Sequence, residues 1–166
     1  MLRPAAVITG FLLAAAGAWA CGDKLMLIMG AHPGLIKPLH PAVILAYPGR
    51  SASATIIRNL ELQPAIKKAG HKIQVVEDPA ALDTALKGGK YDVVVTDIAN
   101  AAALSQQLPG APGRPVLLPV AFQAPKEEMT AALKRYHCLL KAPAGVENYL
   151  ASIDQAMDWK LKTANR

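Results

Sequence analysis

The stretch Val93-Val94-Val95-Thr96-Asp97-Ile98 is an apolar run that ends in a single carboxylate. Its β-branched residues favour an extended strand, and the unbroken apolar pattern is typical of a strand buried on both faces. Strand-like runs that alternate with helical segments lie on either side of it, and it is the third such run. This alternation predicts an α/β fold with helices on both faces of a five-stranded parallel sheet.

Right-handed crossovers make the arrangement doubly wound, with strand order 2-1-3-4-5. The predicted strands cover 42–47, 72–76, 91–96, 116–120 and 136–140. Helices are predicted to begin near Ser51, Pro64, Asp78, Asn100, Pro125 and Val146. The strongest helix start is Asp78-Pro79, because an N-cap aspartate is followed by a proline at the first helical position.

The amino-terminal residues have the pattern of a secretory signal peptide. Arg3 supplies a positive charge, the segment 5–16 is almost wholly apolar, and Ala18-Trp19-Ala20 fits the small-x-small cleavage rule. The apolar segment is shorter than the roughly 20 residues that span a bilayer. We therefore predict a signal peptide over 1–20, an amino-terminal arm over 21–40 and one domain over 41–162, in a periplasmic or secreted protein.

Charge and aromatic content limit the partners of the chain. The 166 residues carry a formal net charge of +6, and aromatic residues make up 5% of them. Binding to nucleic acid needs clustered cations interleaved with stacking aromatics, which this sequence does not offer. A basic exported protein instead favours acidic partners or anionic lipid surfaces.

The two cysteines, Cys21 and Cys138, leave three alternatives open. They pair as one disulfide in an oxidising compartment, they remain thiols, or Cys21 carries a lipid that attaches the chain to a membrane. Cys21 is the first residue after the predicted cleavage site, which is where lipoproteins are modified. The bulky Trp19 departs from the usual pattern that precedes such a cysteine.

Four phrases resemble the response-regulator receiver family, over about residues 41–160. Ala42-Val43-Ile44-Leu45-Ala46-Tyr47 looks like the first strand of a receiver. Tyr91-Asp92-Val93-Val94-Val95-Thr96-Asp97 is similar to the phrase that ends in the phosphorylated aspartate. Pro115-Val116-Leu117-Leu118-Pro119-Val120-Ala121 and Leu139-Leu140-Lys141-Ala142-Pro143 look like the fourth strand and the lysine-bearing fifth strand. The resemblance implies a flavodoxin- and CheY-like fold.

The chain departs from receivers where their chemistry takes place. Receivers hold a divalent metal with an acidic pair after the first strand, but this chain has Tyr47-Pro48-Gly49-Arg50 there. Val120 stands where a receiver has a hydroxyl residue, and Ala142 separates the lysine from the proline. The resemblance therefore implies a degenerate receiver that does not accept phosphate.

The predicted degenerate site consists of Asp97, Lys141, Tyr47 and Arg50. Asp97 and Lys141 are both expected at the carboxyl edge of the sheet, where ligands bind in such folds. Without a metal, the simplest arrangement is an ion pair between these two residues, with Arg50 as a competitor for the carboxylate.

Our first hypothesis is an exported, non-enzymatic module that needs no cofactor and binds another envelope protein. Receivers commonly signal through the face formed by their fourth helix, fifth strand and fifth helix. By resemblance, that interaction face here would include Lys134, Tyr136, Tyr149 and Lys160.

The second hypothesis is a periplasmic carrier of a small ligand or of copper. It would use the crevice around Asp97 and Lys141, or the thioether and imidazole groups of Met26, Met29 and His32. Methionines more often pack in a core than bind metal, so the copper site is the weaker interpretation. An enzyme ranks last, because the sequence offers no activated nucleophile and no complete acid–base pair.

Overall fold

The structure is a computed structural model that describes residues 40–50, 54–58 and 62–164. The strands are β1 (Val43–Tyr47), β2 (Lys72–Val75), β3 (Val93–Asp97), β4 (Val116–Phe122) and β5 (Leu140–Ala142). The helices are α1 (Ala54–Ile57), α2 (Leu62–Lys68), α3 (Pro79–Gly88), α4 (Ile98–Gln107), α5 (Lys126–Arg135) and α6 (Val146–Ala164), and a 3-10 turn covers Leu108–Gly110.

The strands form one parallel sheet in the order β2-β1-β3-β4-β5. The predicted fold class and strand order are confirmed. In a parallel sheet all strands end at the same edge, so the residues that follow β1, β3 and β5 share the carboxyl edge. We call the opposite edge, where the strands begin, the amino edge.

Helices cover both faces of the sheet, as the apolar run in β3 predicts. On one face, α1, α2 and α6 pack over alternate strand residues, with Ile44, Val93 and Val120 fully buried beneath them. On the other face, α3 and α4 pack over Leu45 and Val94. A smaller cluster joins α5 to β4 and to the residues before β5. All five residues of β3 are buried, because the strand lies at the centre of the sheet.

The predicted fifth strand is placed too early. The apolar segment 136–140 was expected to form it, but the strand covers Leu140–Ala142. The physical reason lies in β4, which continues to Phe122 and pairs its last three residues with β5. Pro119 is tolerated in β4 because β5 pairs only from Val120 onward, so β4 has a single neighbour at Pro119.

The predicted signal peptide and all of the amino-terminal arm except His40 lie outside the described residues. Within residues 40–50, 54–58 and 62–164, no helix is both long enough and apolar enough to cross a membrane.

Candidate functional site

Asp97 is the last residue of β3 and also the N-cap of α4. Its backbone is extended, and its Oδ1 accepts a hydrogen bond from the Ala99 N–H at 2.7 Å. The residue is only 6% exposed. Strand and helix therefore join without a loop, and the carboxylate satisfies one of the amide groups that a helix start leaves without an intrahelical partner.

The turn after β1 lies beside Asp97 at the same edge. Tyr47 is half-buried, and its carbonyl accepts a hydrogen bond from Thr96 Oγ1 at 2.9 Å. Pro48 is buried, Gly49 has a φ of +61°, and Arg50 is exposed. This left-handed conformation suits glycine, and it directs the chain away from the edge immediately after the strand.

Two residues that the sequence analysis missed hold this turn in place. A Cβ on Gly49 would lie 2.7 Å from Asn100 Nδ2, so the α4 side chain packs closely against the turn. Arg58 Nη2 donates to the Gly49 carbonyl at 3.4 Å, while Arg58 Nε forms an ion pair with Glu77 at 3.0 Å. Asn100 and Arg58 carry no sequence signal for this role, because it arises only when α1 and α4 approach the same turn.

The strand register relates the remaining predicted site residues. Asp97 is level with Val120, and Val120 is level with Leu140. Lys141 is therefore one residue further toward the carboxyl edge, on β5, and its side chain is exposed. The register brings Tyr47, Asp97 and Lys141 to one edge of the sheet, while the ion pair between Asp97 and Lys141 stays a prediction.

The residues at this edge do not fit a magnesium ion. Mg²⁺ prefers near-octahedral coordination by oxygens, mostly carboxylates and water. The turn after β1 offers a phenol, a proline, a glycine and a guanidinium, and Asp97 Oδ1 already accepts an amide hydrogen. In the part of the chain that the structure describes, no three His, Cys, Asp or Glu side chains are grouped to hold a metal ion.

The predicted interaction face is only partly at the surface. Lys134 is exposed near the end of α5, and the neighbouring Tyr136 is half-buried, with the Arg135 guanidinium 5.6 Å from its ring centre. Tyr149 is only 5% exposed and belongs to the core beneath α6. The prediction that Tyr149 contributes to an exposed face is therefore wrong, because its ring fills the space between α6 and the sheet.

Lys160 also has a different role from the predicted one. Its Nζ lies 2.6 Å from Asp92 Oδ1 and 3.4 Å from the Tyr91 carbonyl, and its side chain is 20% exposed. The charge is thus engaged within the domain, where it ties the end of α6 to the residue before β3. Partner binding by Lys160 would require this ion pair to open.

Replacing Tyr149 by phenylalanine is expected to stabilise the protein. The hydroxyl is buried with no hydrogen-bond partner among the described residues, and burial raises the pKa of Tyr149 to about 12. Removing a polar group that is buried without a partner relieves its desolvation cost, so Tyr149→Phe should raise the free energy of unfolding by about 1 kcal/mol. Urea unfolding followed by circular dichroism measures the change.

The half-exposed Tyr136 provides the matched control, since Tyr136→Phe removes a hydroxyl that water can reach. We expect that variant to unfold at the wild-type urea concentration. A loss of stability in Tyr149→Phe would show that the buried hydroxyl is hydrogen-bonded in solution, and would contradict the prediction.

The predictions on the other named residues stay open. Cys138 is 2% exposed and packs in the core with Leu140, so a disulfide to Cys21 would have to reach an interior position. The lipidation and copper predictions are not tested, because their residues lie outside the part of the chain that the structure describes. These residues are Cys21, Met26, Met29 and His32.

Comparisons with known proteins agree with the fold. The sequence matches no family model and no curated protein. Among solved structures, the fold is similar to the signal receiver domain of an HD domain-containing protein from Pseudomonas fluorescens Pf-5, with a TM-score of 0.55 and 14% sequence identity. The match covers 74% of this chain and 99% of that chain. The predicted receiver-like fold is confirmed, and at this identity the likeness extends to the fold alone.

Proposed function

We propose that this protein is an exported receiver-like domain that does not accept phosphate and acts by binding another component of the cell envelope. The observation that carries the proposal is the position of Asp97. Its carboxylate caps α4 from a buried position, beside a turn that ends in Arg50 instead of an acidic pair.

Two features of this edge support the proposed loss of phosphoryl transfer. A cation must neutralise the charge that develops on the transferred group, and the carboxylate must be open to attack. Here Asp97 Oδ1 is engaged with the Ala99 N–H, and the donor set does not fit Mg²⁺. A receiver-like domain that has lost phosphoryl transfer can still bind a partner through its surface.

The signal-peptide pattern over 1–20 supports export. The exposed Lys134 and the half-buried Tyr136 of the predicted face support a partner that carries negative charge on its surface. The same proposal holds that the protein is not an enzyme and needs no cofactor.

An intact-mass measurement tests this function. Protein released from the envelope of the producing cell should have the mass of a chain that begins at Cys21, with or without lipid. Incubation with acetyl phosphate and Mg²⁺ should leave that mass unchanged, while a receiver domain with a complete acidic site gains one phosphoryl group in parallel. A gain in mass that disappears in Asp97→Asn would overturn the proposal, and a chain that retains residues 1–20 in the cytosol would overturn export.

A further inference from the structure

The amino edge of the sheet carries a concentration of positive charge at the ends of helices. Each crossover helix runs antiparallel to the strands, so helices that follow a strand end at this edge. Exposed cations occupy the last turns of four of them: Lys67 and Lys68 in α2, Lys87 in α3, Lys134 and Arg135 in α5, and Lys162 in α6. Favourable interaction with the helix dipole is sufficient reason for cations at these positions.

Three further cations at the same edge are not at helix ends. Lys72 is the first residue of β2, Lys90 lies in the connection that leads to β3, and Arg114 lies in the connection that leads to β4. All three side chains are exposed. Because the helix dipole does not account for them, the charge of this edge exceeds what helix formation requires.

Three carboxylates lie near this edge, and two of them pair with a lysine. Asp92 pairs with Lys160 at 2.6 Å, Asp83 pairs with Lys87 at 2.6 Å, and Asp158 lies 3.4 Å from the His40 imidazole. At the opposite edge, helix starts carry exposed acidic residues, namely Glu127, Glu128 and Glu147. The domain is therefore polarised, and its amino edge presents uncompensated positive charge.

An aromatic group and an aliphatic group accompany the cations. The indole of Trp159 stacks on His137, with ring centres 3.9 Å apart, at the point where α6 approaches the start of β5. Leu161, two residues further along α6, is 40% exposed. Tryptophan beside lysine is the combination found where proteins meet the headgroup layer of a bilayer.

The chain also enters the domain at this edge. His40 precedes β1 and contacts Asp158 near the end of α6. The 39 residues before it include the apolar segment 5–16 and Cys21, the two elements of the sequence that are able to insert in a membrane or carry a lipid. A lipid on Cys21, which is one of the three alternatives for that residue, would therefore attach on the basic side of the domain.

We propose that the amino edge, through Lys134, Arg135, Lys162 and Trp159, docks on an anionic phospholipid bilayer. Each cation near an anionic surface strengthens binding several-fold. The docked orientation turns the carboxyl edge, with Asp97, away from the membrane. The inference rests on the envelope location in the proposed function.

Flotation with lipid vesicles tests the docking. The full chain, with the amino terminus that the producing cell leaves on it, is mixed with vesicles of phosphatidylcholine or with vesicles of equal parts phosphatidylcholine and phosphatidylglycerol. We expect binding to the anionic vesicles that weakens as salt approaches 1 M, where the screening length falls to about 3 Å. Lys134→Gln combined with Lys162→Gln should weaken binding about thirtyfold at low salt.

Lys126→Gln is the matched control, because Lys126 is an exposed lysine at the opposite end of the same helix, α5. We expect this variant to bind as the wild type does. Equal binding to both kinds of vesicle, or an equal loss in Lys126→Gln and in the double variant, would overturn the proposed face. No binding to anionic vesicles would overturn the lipid as partner and would favour an acidic protein.

The vesicle assay and the acetyl phosphate assay fail independently. A chain that accepts a phosphoryl group and still floats with anionic vesicles contradicts the proposed loss of chemistry alone. A chain that stays unphosphorylated and does not float contradicts the docking alone.

Discussion

Asp92→Ala is expected to lower the free energy of unfolding by about 3 kcal/mol. Asp92 Oδ2 accepts a hydrogen bond from the Val43 N–H at 2.8 Å, and Oδ1 lies 2.6 Å from Lys160 Nζ. The Asp92 N–H also donates to the Val43 carbonyl at 2.8 Å. One side chain thus joins β1, β3 and the end of α6. Its removal leaves a partly buried ammonium group and a backbone amide without their acceptor.

Two further variants separate the contributions in urea titrations. Asp92→Asn keeps an oxygen for the Val43 N–H and loses only the charge, so we expect a loss of about 1 kcal/mol. In a double-mutant cycle, Lys160→Met should destabilise the wild type and have a much smaller effect in the Asp92→Ala background. Equal effects of Lys160→Met in both backgrounds would contradict the ion pair, and would return Lys160 to the predicted interaction face.

The second large effect is expected at Asp97. Asp97→Ala removes the N-cap of α4 at a position that is 6% exposed, and should lower the free energy of unfolding by about 2 kcal/mol. Asp97→Asn retains a capping oxygen and should change stability by less than about 0.5 kcal/mol. The measurement is again the urea midpoint, read by circular dichroism.

A second capping aspartate provides the control. Asp78 caps α3 in the same way, with Oδ1 accepting from the Ala81 N–H at 2.7 Å, but it lies on the exposed surface. Asp78→Ala should cost about 1 kcal/mol, less than the buried Asp97→Ala. A stabilising Asp97→Ala would contradict the account, because it would mean that the carboxylate is held in an unfavourable position for chemistry.

The sheet was predictable because its strands are nearly pure apolar runs between clear helix starts. The run 93–96 is buried on both faces and could only be a central strand, and Asp78-Pro79 begins a helix as its capping chemistry predicts. The bounds of β5 were not predictable from its own residues. They depend on how far β4 continues, since β5 pairs with the last three residues of β4.

The position of Asp97 was predictable from the sequence, but the contacts of the site were not. The end of an apolar strand in a parallel sheet places Asp97 at the carboxyl edge, so its place follows from the sequence. Its role as the N-cap of α4 depends on the absence of a loop after β3. The sequence instead predicted that the next helix begins near Asn100. The close approach of Asn100 to Gly49 arises from packing between elements far apart in the sequence.

The predicted interaction face was taken from the receiver resemblance, and the residues at two of its positions do not fit an exposed face. Tyr149 and Lys160 were assigned by their place in the receiver pattern. The helical spacing of Tyr149 with Ile153 and Met157 already indicated that Tyr149 lies on the apolar face of α6. Lys160 meets a carboxylate 68 positions away in the chain, and no local pattern reports such a pair.

The Mg²⁺ dependence of stability tests most directly whether Asp97 is a structural cap and not a phosphate acceptor. Bound Mg²⁺ would stabilise the folded chain, by about 2.7 kcal/mol at a hundredfold excess over its Kd. We predict that Mg²⁺ leaves the urea midpoints of wild type, Asp97→Ala and Asp78→Ala where they are. A saturable Mg²⁺-induced rise in the wild-type midpoint that is lost in Asp97→Ala and kept in Asp78→Ala would contradict the account.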